Sequence, residues 1–251
     1  MRGARAGSPR RTVWLFDMDD TLHDASWQVF PRMNLEMTAY IQRHLQVDAE
    51  RADELRRHFW RRYGATLLGL VHEHGVRAEH FLEETHRFSD LARLLRADAA
   101  QRAALRRLPG RKYVLTNAPR AYALRVLGAF DMLREFDGVI AVEDMRQFGK
   151  LRPKPDARML RHVLRRLGVR PAQCVLVEDT LGHLRSARAL GLRGVWFTRY
   201  AHRAARRQAA AASAQAGLLH RAGRHGRPGY VSARTASLWQ LPRLIPAGPR
   251  A

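Results

Sequence analysis

Four apolar residues, Val13 to Phe16, run without interruption and stop at Asp17, the pattern of a short buried strand. After Leu22 the period lengthens. Met33, Met37, Tyr40, Ile41 and Leu45 recur on one helical face. Asp48 is placed to cap a second helix carrying Leu55, Phe59 and Tyr63, and Thr66 to Val71 with Phe81 and Leu82 extend the helical region to about residue 95. Asp98 is expected to cap a helix through Leu105 and Leu108 that Pro109-Gly110 stops. Short apolar runs then alternate with helices. Tyr113–Leu115 is a strand ending in Thr116-Asn117, followed by a helix over 119–128 and a strand over Val139–Val142. A helix over 156–167 closes at Gly168, and the strand Cys174–Val177 ends in Glu178-Asp179. A helix over 181–190 closes at Gly191, and Val195–Phe197 is a further strand. Tyr230-Val231 and Leu238–Leu241 read as a last strand and a short helix.

Alternating strands and helices of this kind predict an α/β fold: a Rossmann-like parallel sheet with helices on both faces, plus an inserted all-helical domain. Ligands of such sheets bind beyond the carboxyl ends of the strands. Asp17, Thr116 and Asp179 each fall at such an end, which predicts one shared site.

Composition changes this picture little. The 251 residues suffice for one large domain or a core with an insertion. The 45 basic against 23 acidic residues give a net charge of +22, which attracts phosphates and other anions. The excess is nearly all Arg and spread over every segment, without zinc-finger spacing or an aromatic RNA-binding signature, so nucleic-acid binding is not expected. Cys174 is the only cysteine, which excludes an internal disulfide and fits a reducing compartment. Met1–Arg11 is basic but leads into no signal-type apolar stretch, and no run approaches membrane-spanning length. A soluble, cytoplasmic protein is the expectation. Residues 199–228 form an Ala- and Arg-rich stretch, expected to be a solvated helix and loop, and no acidic residue follows Asp179.

The chemistry concentrates in Asp17-Met18-Asp19-Asp20-Thr21. Clustered carboxylates raise one another's cost of ionisation unless a cation or a shared proton offsets it. On an extended chain Asp17 and Asp19 point to the same side, toward one metal and one substrate, while Asp20 faces away. Lys154, in Arg152-Pro153-Lys154-Pro155-Asp156, stands out because only Lys112, Lys150 and Lys154 are lysines.

Asp17–Thr21, Thr116-Asn117, Lys154 in its proline-flanked segment and Glu178-Asp179, in this order and each at its own strand end or loop, resemble the four sequence motifs of the haloacid dehalogenase superfamily, over roughly residues 12–198 plus the terminal strand and helix. The resemblance implies a catalytic core of residues 1–22 and 98–251, with 199–228 as a basic insertion, and a helical cap of the C1 type over 23–97. It implies a Mg²⁺-dependent phosphomonoester hydrolase working through an aspartyl-phosphate. Asp17 would be the nucleophile and Asp19 the acid and base. Thr116 and Lys154 complete the catalytic set, and Thr116 and Asn117 hold the phosphoryl group. Mg²⁺ would be held by Asp17, the Asp19 backbone carbonyl and Asp179, with Glu178 either on the metal or just behind it. Many relatives carry Asn four residues after the last motif Asp; this chain has His183 there.

The segment from Arg62-Tyr63-Gly64 through Gly69-Leu70 to His74-Gly75 is similar to the cap of pyrimidine 5′-nucleotidases of this superfamily. It implies a nucleoside monophosphate, UMP or CMP, as substrate, with Tyr63 and Thr66 as cap contacts and a helix break between Gly64 and Gly69. A phosphoglycolate or sugar-phosphate phosphatase or a phosphomutase is the alternative among enzymes. A basic nucleic-acid-binding protein on a phosphatase scaffold is the alternative from another class. A dehalogenase is disfavoured by Asp19, and a phosphonatase by the absence of Lys from residues 23–97.

Overall fold

A computed structural model describes residues 12–96, 99–201 and 226–246. The chain divides into two compact units: residues up to Asp24 with those from Arg96 onward, and Ala25–Leu95.

The first unit is built on a six-stranded parallel sheet of order β3-β2-β1-β6-β7-β8. β1 (Val13–Phe16) lies at its centre, paired with β2 (Arg111–Leu115) on one side and β6 (Cys174–Glu178) on the other. β3 (Gly138–Ile140) extends the sheet beyond β2, while β7 (Arg193–Phe197) and β8 (Ala233–Thr235) extend it beyond β6. The uninterrupted apolar run of β1 follows from burial on both faces. Val13 and Leu15 belong to the cluster formed with Met159, Leu160, Val163 and Leu164 of helix α8 (Ala157–Leu167) and with Leu184 of α9 (Leu181–Ala189). Trp14 and Phe16 stack on each other, Phe16 meets Phe136 edge-on at 5.9 Å, and the Trp14 indole donates to Pro109 O.

Around this sheet run α6 (Ala99–Arg107) and α7 (Arg120–Ala129), and a hairpin of β4 (Arg146–Gln147) and β5 (Lys150–Leu151) precedes α8. The expected strand over Val139–Val142 ends at Ile140. Ile140 O accepts from Thr116 N, and Ala141 N donates to the Asp144 carboxylate, so the chain turns into a helical turn at Val142–Met145. Val142 is buried by that turn rather than by a ladder. Tyr230-Val231 is likewise no strand. Val231 N bonds Pro228 O in a turn, its side chain fills the core, and the strand is the less apolar Ala233–Thr235, aligned on Val195–Phe197. The cap expected at Asp98 and most of the 199–228 segment lie outside the described residues.

The second unit holds α1 (Ala25–Leu45), α2 (Ala49–Tyr63), α3 (Thr66–His74), α4 (Ala78–His86) and α5 (Leu91–Leu94). Asp48 caps α2, its carboxylate accepting from Arg51 N at 2.8 Å. Gly64 ends α2 with φ of +78°, a left-handed conformation that favours glycine. Gly69 does not break a helix. It lies inside α3, where an added Cβ would fall 2.3 Å from Phe59 Cγ, so it is a close-packing glycine. None of the described helices is long and apolar enough to cross a membrane.

Candidate active site

The parallel register decides which residues meet. Phe16 aligns with Val177 across β1 and β6, and with Val114 across β1 and β2. The next residues outward are Asp17, Glu178 and Leu115, with Thr116 one step further. Asp17 is tied to its neighbour through its amide, which donates to Val177 O at 2.9 Å. The carboxylates of Asp17, Glu178 and Asp179 come within 4.8 Å of one another.

Lys154 is the cation buried among them. Its Nζ donates to Asp17 Oδ1 at 2.5 Å and to Glu178 Oε2 at 2.9 Å. Lys150 sits exposed on the β4–β5 hairpin. The loop carrying Lys154 is held by Asn117 in a reciprocal pair: Lys154 N donates to Asn117 Oδ1 at 2.8 Å, and Asn117 Nδ2 donates to Lys154 O at 3.1 Å. The Asn117 side chain is therefore committed to placing Lys154. Thr116, 1% exposed, accepts from Ala118 N through Oγ1 at 3.0 Å, which leaves its hydroxyl proton to donate.

Electrostatics separates the three carboxyl groups. Burial, then the charge of Glu178, pushes Asp17 up to about 8, Lys154 only partly opposing this. Burial, Glu178 and Asp17 push Asp179 up to about 10. Burial would raise Glu178 too, but Lys154 and His183 outweigh it and hold it well below the usual carboxylate range. For Lys154 the penalty of burial is overcome by Asp17 and Glu178, which raise it. One ammonium thus faces three carboxylates, and two of them keep their protons unless further positive charge arrives. Oxygen donors this close, with that unmet demand, fit a hard divalent cation.

Asp19 stands apart from this cluster. Its Oδ1 receives His23 Nε2 at 2.8 Å and the Tyr122 hydroxyl at 3.0 Å. Both bonds fall on Oδ1. Asp20 does not simply face away. The chain leaves the strand at Phe16, Asp20 takes a φ of +59° and is buried, and its charge is one of those that raise Asp179. His183 Nδ1 lies 3.0 Å from Glu178 Oε2, and the Glu178 loop is also fixed by Thr180 N on Oε1 and by the Trp196 indole on Asp179 O. His23 and Tyr122 went unmarked in the sequence. The one signal for His23 was its place four residues after Asp19, and for Tyr122 its place in the first turn after Thr116-Asn117.

In the helical unit, Thr66 is buried and its hydroxyl donates to Arg56 O at 3.1 Å. The Tyr63 hydroxyl donates to Glu73 at 2.7 Å.

The chain belongs to the haloacid dehalogenase-like hydrolases, whose family model matches residues 12–191. It is 33% identical over 116 residues to the sesquiterpene phosphatase astK of Aspergillus oryzae, covering 41% of this chain and 52% of that protein. It is 37% identical over 90 residues to a plasmid-borne phosphoglycolate phosphatase of Cupriavidus necator, covering 36% of this chain and 37% of that protein. The chain thus spans about half or less of the length of these curated relatives. A crystal structure of a HAD phosphatase from Thermococcus onnurineus shares the fold with a TM-score of 0.59 at 19% identity, over 94% of this chain and 98% of that one.

Proposed function

We propose that this protein is a Mg²⁺-dependent phosphomonoester hydrolase that works through an aspartyl-phosphate on Asp17. The observation that carries the reading is the separation of two aspartates two residues apart. Asp17 lies among Lys154, Glu178 and Asp179, whereas the Asp19 carboxylate is held by the His23 ring and the Tyr122 hydroxyl. A nucleophile and a proton carrier need such different surroundings.

Asp17 attacks phosphorus, the bond to the ester oxygen breaks, and Asp19 gives that oxygen its proton. Water then attacks the phosphorus of the aspartyl-phosphate and passes a proton to Asp19, and the Asp17 carboxylate leaves. Lys154 holds Asp17 in place and supplies positive charge where the phosphoryl oxygens gather it. Glu178 keeps Lys154 protonated and aimed, and Thr116 donates its hydroxyl proton to a phosphoryl oxygen. A Mg²⁺ held by Asp17, Asp179 and the Asp19 carbonyl would neutralise the repulsion between nucleophile and phosphate. Phosphate release from an aryl phosphate, with and without Mg²⁺, tests the reading. No release in either condition overturns it.

For the substrate we infer a pyrimidine nucleoside monophosphate, with residues 25–95 acting as a cap. The support is the Tyr63–Leu70 segment. Both cap hydroxyls assigned are engaged within the unit, Thr66 on Arg56 O and Tyr63 on Glu73, and of the two only the Tyr63 ring is partly exposed. A phosphoglycolate-like small acid is the second reading, favoured by the C. necator relative. Comparing kcat/KM for UMP, CMP, AMP, GMP and phosphoglycolate decides between them. A lead for phosphoglycolate discards the nucleotidase and leaves the phosphatase.

A further inference from the structure

Asp19 is held by a pair of groups that neither the motifs nor the metal cluster accounts for. Residues 18–22 close one tight turn, with Leu22 N on Met18 O at 2.8 Å, and Asp19 and His23 are bridged through their backbones. The turn delivers the His23 ring under its own chain, fully buried, with Nε2 2.8 Å from Asp19 Oδ1. From across the sheet, Tyr122 of α7, 1% exposed, brings its hydroxyl to the same oxygen at 3.0 Å. The Asp19 side chain itself keeps 15% exposure.

Two donors on one carboxylate oxygen occupy both of its lone-pair directions, and the other oxygen keeps its own. Resting on the phosphatase reading above, we propose that His23 and Tyr122 are positioning residues that select the working oxygen of Asp19. They fill Oδ1, so that the proton given to the leaving oxygen, and later taken from water, is carried on Oδ2.

Two further observations fit this role. His23 Nδ1 is buried without a hydrogen-bond partner among the described residues, and the ring lies 5.9 Å from that of Phe130. An orphaned ring nitrogen costs about 1–3 kcal/mol, and an apolar side chain at this site would avoid it. The residue is explained by the work of its other nitrogen, which must carry the ring proton to donate to a carboxylate. The Tyr122 hydroxyl, on a side chain 1% exposed, gives its proton to Asp19 Oδ1.

The positioning role predicts a defect that depends on the leaving group. Single-turnover phosphorylation of the enzyme is measured with phenyl phosphate, whose leaving oxygen needs a proton, and with dinitrophenyl phosphate, whose leaving oxygen does not. The variants are Tyr122→Phe, which removes one oxygen and keeps the ring, His23→Leu and His23→Gln. Tyr122→Phe and His23→Leu should slow phenyl phosphate by about 10- to 100-fold, no more than the roughly 100-fold at which a general acid's own contribution begins, and dinitrophenyl phosphate by no more than about threefold. His23→Gln, which restores an N–H donor, should recover most of the loss. Equal losses on both esters, or no loss on phenyl phosphate, would overturn the proposal while leaving the phosphatase intact. A wild-type chain inactive on both esters overturns the phosphatase reading and this proposal with it. If His23→Leu does not fold, the two esters compared in Tyr122→Phe decide between the same outcomes.

Discussion

Charged residues serve different ends in the two units. Among the described residues most ion pairs of the helical unit are local and at the surface: Arg32–Glu36, Arg51–Glu54, Arg57–Asp53 and Arg87–Glu83 each join residues three or four apart, and Arg43–Glu84 adds a surface pair between α1 and α4. Such surface pairs gain little in water. In the sheet unit Lys154 joins Asp17, 137 residues away in sequence, and Glu178, with every partner buried. A buried group of this kind is poor evidence for stability, because desolvation opposes the attraction. An unbalanced one, with three carboxylates for one ammonium, is worse still. On the proposed function the charges at the strand ends are there for a ligand, whereas the helix-surface charges ask almost nothing of the fold.

Asp17→Asn gives the largest separation between the two kinds of charge. Activity should fall at least about 10⁴-fold, since an amide is a poor nucleophile. Metal-free stability should hold or rise, because one repelling carboxyl leaves the cluster while Lys154 keeps Glu178. Phosphate release and thermal unfolding of the same preparation check both halves. Near-normal turnover would remove Asp17 from the nucleophile's role.

Lys154→Met should follow, with a loss on the order of 10²- to 10³-fold. Lys154→Arg should recover only part of it, because a planar guanidinium does not fit where a compact ammonium touches two carboxylates. Lys150→Met, on the exposed hairpin, should stay within about twofold. The reverse order would place the catalytic lysine on the hairpin instead.

Metal and pH sharpen the comparison next. Asp17 and Asp179 are held up at about 8 and about 10, above the ordinary carboxyl value they return to on unfolding. Between about pH 4 and pH 8 the native state therefore holds more protons than the unfolded state, and its stability falls as pH rises. Unfolding in EDTA should show that decline, and Mg²⁺ should flatten it. Mg²⁺ affinity should increase over the same range as the ligands give up protons, with proton release visible by calorimetry in buffers of different ionisation heat. A Tm in EDTA that rises from pH 5 to pH 8 would contradict the charge assignment.

The sheet edge was legible because its signals are local. A continuous apolar run marks a buried strand, and Asp17, Thr116 and Glu178-Asp179 follow such runs directly. The Asp48 cap was legible for the same reason. What could not be read depends on distant pairing. The Tyr122 hydroxyl reaches Asp19 across 103 residues, and Asn117 closes on a backbone 37 residues away. Gly69 resembles a helix breaker until Phe59 is packed over it. The strand Ala233–Thr235 carries almost no apolar signal because, at the sheet's edge, it borrows its register from β7. Val231, more apolar, drew the strand expectation to the turn beside it.

The smallest effect belongs to the helical surface. Arg87 and Glu83, 68% and 64% exposed, pair at 2.5 Å one turn apart near the end of α4. The pair should contribute less than about 0.5 kcal/mol, since both side chains surrender rotamer freedom and salt screens what remains. Arg87→Gln should thus shift Tm by no more than about 2 °C and leave kcat/KM unchanged. Repeating the melt at high salt should erase even that difference, whereas salt should barely alter the Lys154→Met defect, because the Lys154 charges are shielded from solvent ions by burial. A salt-insensitive, multi-degree loss in Arg87→Gln would mean that the pair holds α4 in place, and the contrast between local and buried charge would fail at that point.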